Sequence, residues 1–166
     1  MGHRALVAVA GSDGRYACYR SKWGALAVEG PGSLVTAVAD AVMDGRLVAR
    51  DCTVAAVCDA VDPRSDEALL VASGDAVEPL LVVWLGLVLR DGVVGDDAAA
   101  LVPVADAASA RRFRGSLLAW RESLGVTVDD GSLSPAVALA VFRAGVARLA
   151  APARPVWLPL GGGGAG

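Results

Sequence analysis

No apolar stretch of this chain is long enough to stand alone. The longest uncharged runs are Pro79–Leu89, with 11 residues, and Gly131–Phe142 and Pro155–Gly166, with 12 each. A bilayer-spanning helix needs about 20 predominantly apolar residues, so none of these runs spans a membrane as a helix. The apolar residues are instead cut by charges and turn signals into short elements that must bury their faces on one another. Composition sharpens the point. With 55% hydrophobic residues, 20% charged residues and a net charge of -3, the chain has too much apolar surface for a disordered protein. Its 166 residues suit one domain that buries roughly two-thirds of its unfolded surface. A pI near 5.0 argues against a nucleic-acid partner held by bulk charge. The opening MGHRALVAVAGSDGR lacks the long apolar core of a secretory signal. A soluble, cytoplasmic protein without membrane insertion is the expectation.

Turn chemistry and periodicity then order the elements. Arg4–Ala10 is a short apolar strand, Asp13-Gly14 closes a turn, and Arg15–Trp23 alternates, which predicts a β-hairpin. A two-residue turn at Asp13-Gly14 sets Val9 opposite Cys18 and His3 near Gly24. Ser33 caps a helix running to Asp44, and Thr53 caps a short helix over Val54–Ala60. Glu67–Ala72 and Leu80–Leu89 read as two buried strands joined through Ser73-Gly74-Asp75, a second hairpin. Asp106 caps a helix over Ala107–Leu124 with Ala110, Phe113, Leu117, Trp120 and Leu124 on one face. Ser134-Pro135 opens the last helix, Pro135–Ala150. The fold class is α+β: residues 1–150 form one domain, an antiparallel sheet built from two hairpins and covered by about four helices. Residues 151–166 follow as an extended Pro-rich segment and a disordered Gly-rich tail.

The opening MGHRALVAVAGSDGRYACYRSKWGAL resembles a haloarchaeal family of uncharacterised proteins, a domain of unknown function. Its members begin with a similar Gly-His-Arg-Ala-Leu-Val strand, an Asp-Gly turn and a strand ending Trp-Gly-Ala. Looser echoes are Thr53–Asp59 before Glu67-Ala68, Trp84-Leu85-Gly86-Leu87, and Gly131-Ser132-Leu133-Ser134-Pro135. The resemblance implies a fold and a source, and no activity.

Residues able to carry chemistry are few. His3, Cys18, Cys52 and Cys58 sum to a Cys₃His set, but structural zinc wants close ligand pairs, and the hairpin holds His3 about 20 Å from the level of Cys18 at ~3.3 Å per residue. The same separation denies Cys18 a catalytic dyad with His3. The cysteines read as core filler; no metal and no cofactor is expected. Asp96-Asp97 and Asp129-Asp130 read as solvated loop carboxylates. Glu67, opening an apolar strand, needs a partner such as Arg20 if buried. Arg111-Arg112-Phe113-Arg114 reads as a solvated helix face. Gly30-Pro31-Gly32-Ser33 reads as loop and cap.

Two surfaces stand out. The end of the first hairpin gathers His3, Arg4, Tyr19, Lys22 and Trp23, a candidate ligand-binding set. The last helix carries one apolar stripe of Leu139, Phe142, Val146 and Leu149 and a second of Val137 and Val141. A helix apolar on two sides is buried on more than one side: either it is central in the core, or one stripe meets another subunit, which makes the first stripe a candidate homo-oligomer interface. The best functional reading is an interaction or scaffold protein that self-associates. The alternatives are a small-ligand-binding protein using the hairpin end, and a hydrolase-like enzyme without a recognisable catalytic motif.

Overall fold

A computed structural model of the chain describes residues 3–95 and 98–158. Its elements are β1 (Arg4–Ala10), β2 (Tyr16–Ser21), α1 (Leu26–Glu29), α2 (Leu34–Asp44), β3 (Arg46–Cys52), α3 (Val54–Asp59), β4 (Asp66–Ser73), β5 (Ala76–Trp84), β6 (Leu87–Leu89), β7 (Gly92–Val94), β8 (Ala99–Pro103), α4 (Ala107–Asp129), α5 (Pro135–Ala150) and β9 (Val156–Leu158). The fold is α+β. Its main sheet has seven strands in the order β3-β2-β1-β4-β5-β8-β9. The sheet is mostly antiparallel; β1 and β4 pair in parallel, which an assembly of two hairpins alone does not provide.

Helix starts follow the caps. Ser33, Thr53, Asp106 and Ser134 each accept a hydrogen bond from the backbone N–H three residues on, satisfying a donor that the first turn leaves unpaired. The sheet is buried on both faces. On one side Ala5, Val7, Ala68, Leu70, Leu81 and Val83 pack with α1, α2, α4 and α5. On the other, Leu6, Ala8, Cys18, Cys52 and Leu69 pack with Val57 of α3 and Val61 beyond it. Helices therefore cover two faces rather than one. Among the described residues no helix is long and apolar enough to cross a membrane.

Four local differences from the sequence reading have physical causes. The first hairpin is out of the expected register by one: Ala8, not Val9, sits opposite Cys18. Its loop is longer than two residues, closed by Gly11 N–H donating to the Arg15 carbonyl at 2.7 Å, with Gly14 at φ 76. The Leu80–Leu89 run is not one strand. The indole of Trp84 folds back over Gly86, where a Cβ would stand 2.0 Å from the ring, and the chain breaks there into β5 and β6. Pro79 lies inside β5 at the end of the β5–β8 ladder. Its carbonyl accepts from Val104 N–H, so its nitrogen faces that side too, beyond the last β5–β8 pair, Leu80 with Pro103. The Pro-rich segment begins with a turn at residues 151–153, and Val156–Leu158 joins the sheet by pairing with β8. The glycine tail 161–166 and the Asp96-Asp97 pair lie outside the described residues.

Candidate functional site

The site begins with one extra residue in β4. Arg4 of β1 pairs with Asp66 and Ala5 pairs with Ala68, so Glu67 is bulged out of the ladder. Strand alternation counted back from Leu69 and Leu70 sends Glu67 to the Cys18 side and Asp66 to the main helix side. The bulge reverses both. Asp66 turns to the Cys18 side, where its side chain is fully buried. Its Oδ2 accepts from Arg20 Nη2 at 3.0 Å and from Asp62 N–H at 2.9 Å. Arg20 Nη2 also donates to the Ala60 carbonyl at 2.9 Å, which ties the loop after α3 to β2. Glu67 turns to the helix side. Its Oε2 accepts from Arg114 Nη1 of α4 at 2.7 Å and lies 3.2 Å from His3 Nδ1. Arg114 Nε pairs in turn with Glu29 Oε1, and Arg111 donates to the Glu29 carbonyl. The partner expected for Glu67, Arg20, belongs to Asp66, and Arg114 is drawn inward rather than left on a solvated face.

The same bulge opens a cleft. The β4–β5 ladder stops at Ala68 with Leu81. Beyond that pair Asp66 and Glu67 of β4 and Val82–Trp84 of β5 line a hollow of about 510 Å³ together with Phe113, Leu117 and Arg121 of α4. Its outer rim carries three exposed apolar side chains, Val88 (63%), Val93 (54%) and Leu118 (54%). The rim is anchored to α4. Arg90 N–H, just after β6, donates to both carboxylate oxygens of Asp129. Gly125 lets β6 come close, since a Cβ there would stand 3.1 Å from the Val88 carbonyl oxygen.

The cations of the cleft are not equivalent. Arg114 is held by two glutamates. Among the described residues Arg121 has no carboxylate partner, and its one hydrogen bond runs from Nη2 to the Trp84 carbonyl at 2.6 Å. Its Nε is buried without a hydrogen-bond partner. Its guanidinium lies 5.6 Å from the Trp84 ring centre and 5.2 Å from that of Phe142. Burial, with no anion to offset it, pushes its pKa below the usual arginine range. On the acid side, burial raises the Asp66 carboxyl above its ordinary 3.8, outweighing Arg20. Oδ1 of Asp66 is buried without a hydrogen-bond partner.

The residues singled out at the hairpin end are divided by the fold. His3 joins Glu67. Arg4 is exposed beside the bulge. Tyr19 packs against the helix-side core. Lys22 and Trp23 remain together in a separate, larger groove of about 920 Å³ with Arg46 and the loop before α2. Sequence reasoning missed Arg121 and Trp84 as a pair. Arg121 follows Leu117 by four residues, which marks the edge of the apolar face of α4, but no spacing signals the strand that meets it.

The stripe assigned to an interface is internal. Phe142 is 1% exposed and Val146 is equally buried; Leu139 and Leu149 pack against the same core. The helix satisfies that stripe within its own chain, so it is not a surface for a second copy. The stripe left outside is Val137 and Val141. Cys18 and Cys58 are poor nucleophiles. Burial and a hydrogen bond with Cys52 push Cys18 up to about 12, and burial raises Cys58. Among the described residues no three histidine, cysteine or acidic side chains gather to hold a metal ion. No protein-family model matches the chain, and neither does a curated protein or a solved structure.

Proposed function

We propose that the chain is a small-ligand-binding protein whose site is the cleft between the bulged start of β4, the end of β5 and α4. The observation that carries this is the coincidence of the bulge with the cleft. A conformational irregularity fixes two charged networks at the place where the sheet opens beside an apolar wall. Bulges concentrate next to functional sites, and apolar hollows with a few fixed polar groups are the usual form of a ligand pocket. The ligand is amphipathic: its apolar part meets Leu81, Val83, Phe113 and Leu117, and its polar part meets the arginines. A neutral fluorescent reporter, N-phenyl-1-naphthylamine, is expected to bind the native protein saturably at one site. Replacing the exposed rim residues Val88 and Leu118 together by Gln removes apolar contact without touching the core. Weakening of roughly tenfold is expected, the equivalent of about 1.4 kcal/mol. Unchanged binding by the double variant places the site elsewhere.

Self-association is a second reading, moved to the opposite side of α5. The observation favouring it is the exposed pair Val137 and Val141, on the helix whose Arg143 lies over the exposed Trp157 ring of the edge strand β9. Light scattering is expected to give a dimer mass that falls to a monomer in Val141→Glu. A monomer in the wild-type protein at micromolar concentration removes this reading.

A further inference from the structure

We infer that the cleft selects ligands bearing a carboxylate, with Arg121 as the group that binds it. This rests on the ligand-cleft reading above and names the chemical class that the cleft accepts.

A charged side chain taken out of water requires a partner. Glu67 and Arg114, on the helix side, are paired with each other, and Arg114 also with Glu29. Arg121 stands apart. A guanidinium carries five N–H donors, and one of them is used, on the Trp84 carbonyl. The head group also lies against the rings of Trp84 and Phe142. These rings hold a cation by their faces, and among the described residues the Trp84 carbonyl is the one acceptor its N–H edge meets. A planar guanidinium matches a carboxylate with two parallel hydrogen bonds. Around it the lining is Leu81, Val83, Phe113 and Leu117, a wall for an alkyl or aryl body. Arg114 is shared by Glu67 and Glu29, and Asp66 is turned to the other face of the sheet with Arg20, so none of these carboxylates is without a cation.

The test compares two probes that share a body and differ in the head group: 3-phenylpropionate and 3-phenylpropanol. Binding of each to the wild-type protein is measured by two-dimensional NMR, which also follows the Arg121 Nε–H resonance. The acid is expected to bind at least about tenfold more tightly than the alcohol, and to move the Arg121 Nε–H signal where the alcohol does not. Arg121→Gln is expected to reduce the acid to the alcohol's affinity and to leave the alcohol unchanged. Arg121→Lys, which keeps the charge and loses the fork, falls between. Equal affinities for acid and alcohol in the wild-type protein overturn the carboxylate assignment and leave the cleft as a ligand site. An acid preference that survives in Arg121→Gln also overturns it. Absence of binding by both probes overturns the cleft reading and this inference together. Should Arg121→Gln fail to fold, the wild-type affinity ratio and the Arg121 Nε–H shift decide the matter alone.

Discussion

Asp66→Ala is expected to lower the free energy of unfolding by about 3 kcal/mol, read from urea denaturation as a shift in midpoint at constant slope. The Asp66 side chain is fully buried and Arg20 is 28% exposed, so removing the carboxylate leaves a largely desolvated guanidinium without its counter-charge. The Asp62 N–H loses its acceptor in the same step. An alanine that costs less than about 1 kcal/mol means that the Asp66–Arg20 pair is not formed in solution.

The same carboxyl has a pH signature. Burial raises the Asp66 pKa above 3.8 in the folded protein, so folding favours the protonated form there. That contribution to stability is complete below pH 3.8 and is lost as pH rises through the raised value. Asp62 works in the opposite sense. A hydrogen bond from Ser65 lowers its pKa below 3.8, so its contribution is present above that pH and is lost in acid. Asp66→Asn removes the first effect and keeps the second. Above pH 3.8 it is therefore expected to lack the loss of stability that Asp66 contributes in the wild-type protein, so the two curves diverge there. A parallel pair of curves contradicts the burial of a proton-binding carboxyl at this position.

Phe142→Ala is expected to cost about 4 kcal/mol, the range for truncating a buried aromatic ring. At roughly 3 °C per kcal/mol for a domain of this size, Tm falls by about 12 °C. Phe142 is 1% exposed and its ring forms one side of the seat for Arg121, so acid binding weakens along with stability. The oligomeric mass is expected to stay the same, because the residue faces the protein's own core. A variant with wild-type stability and an altered mass would return Phe142 to the surface and reverse its assignment to the core.

Much of the framework was legible from local chemistry. The starts of α2, α3, α4 and α5 follow from Ser33, Thr53, Asp106 and Ser134, because a cap is a contact within one turn of chain. The strands β1, β2 and β4 follow from short apolar or alternating runs. β3 was not legible. Its sequence RLVARDC sets charges on an exposed edge, and edge strands need no apolar alternation. Nor was β8, whose five residues are uniformly apolar and too short for any periodicity. The pairing of β1 with β4 joins segments about 60 residues apart (Ala8 to Val71, for example), and nothing in either segment encodes the partner.

The cleft was hidden by a single residue. Glu67 was visible as a charge at the start of an apolar strand, and the need for an arginine followed from burial. Arg20 was one arginine within reach of that reading; the bulge gives it to Asp66 and turns Glu67 to Arg114. Arg114 and Arg121 lie one helical turn and two further along the apolar face that begins at Ala110, yet their roles depend on which strand end faces α4. Of the hairpin-end group only Tyr19 lies in the β1–β2 ladder, opposite Val7, while His3 meets Glu67 and Lys22 and Trp23 line a separate groove.

The most direct test of the ligand cleft is to titrate the ¹⁵N-labelled protein with 3-phenylpropionate and map the amide shifts by residue. The largest changes are expected at Glu67, Leu81–Trp84, Leu117 and Arg121. Shifts centred instead on Lys22, Trp23 and Ser33 would contradict the cleft and place binding at the end of the first hairpin.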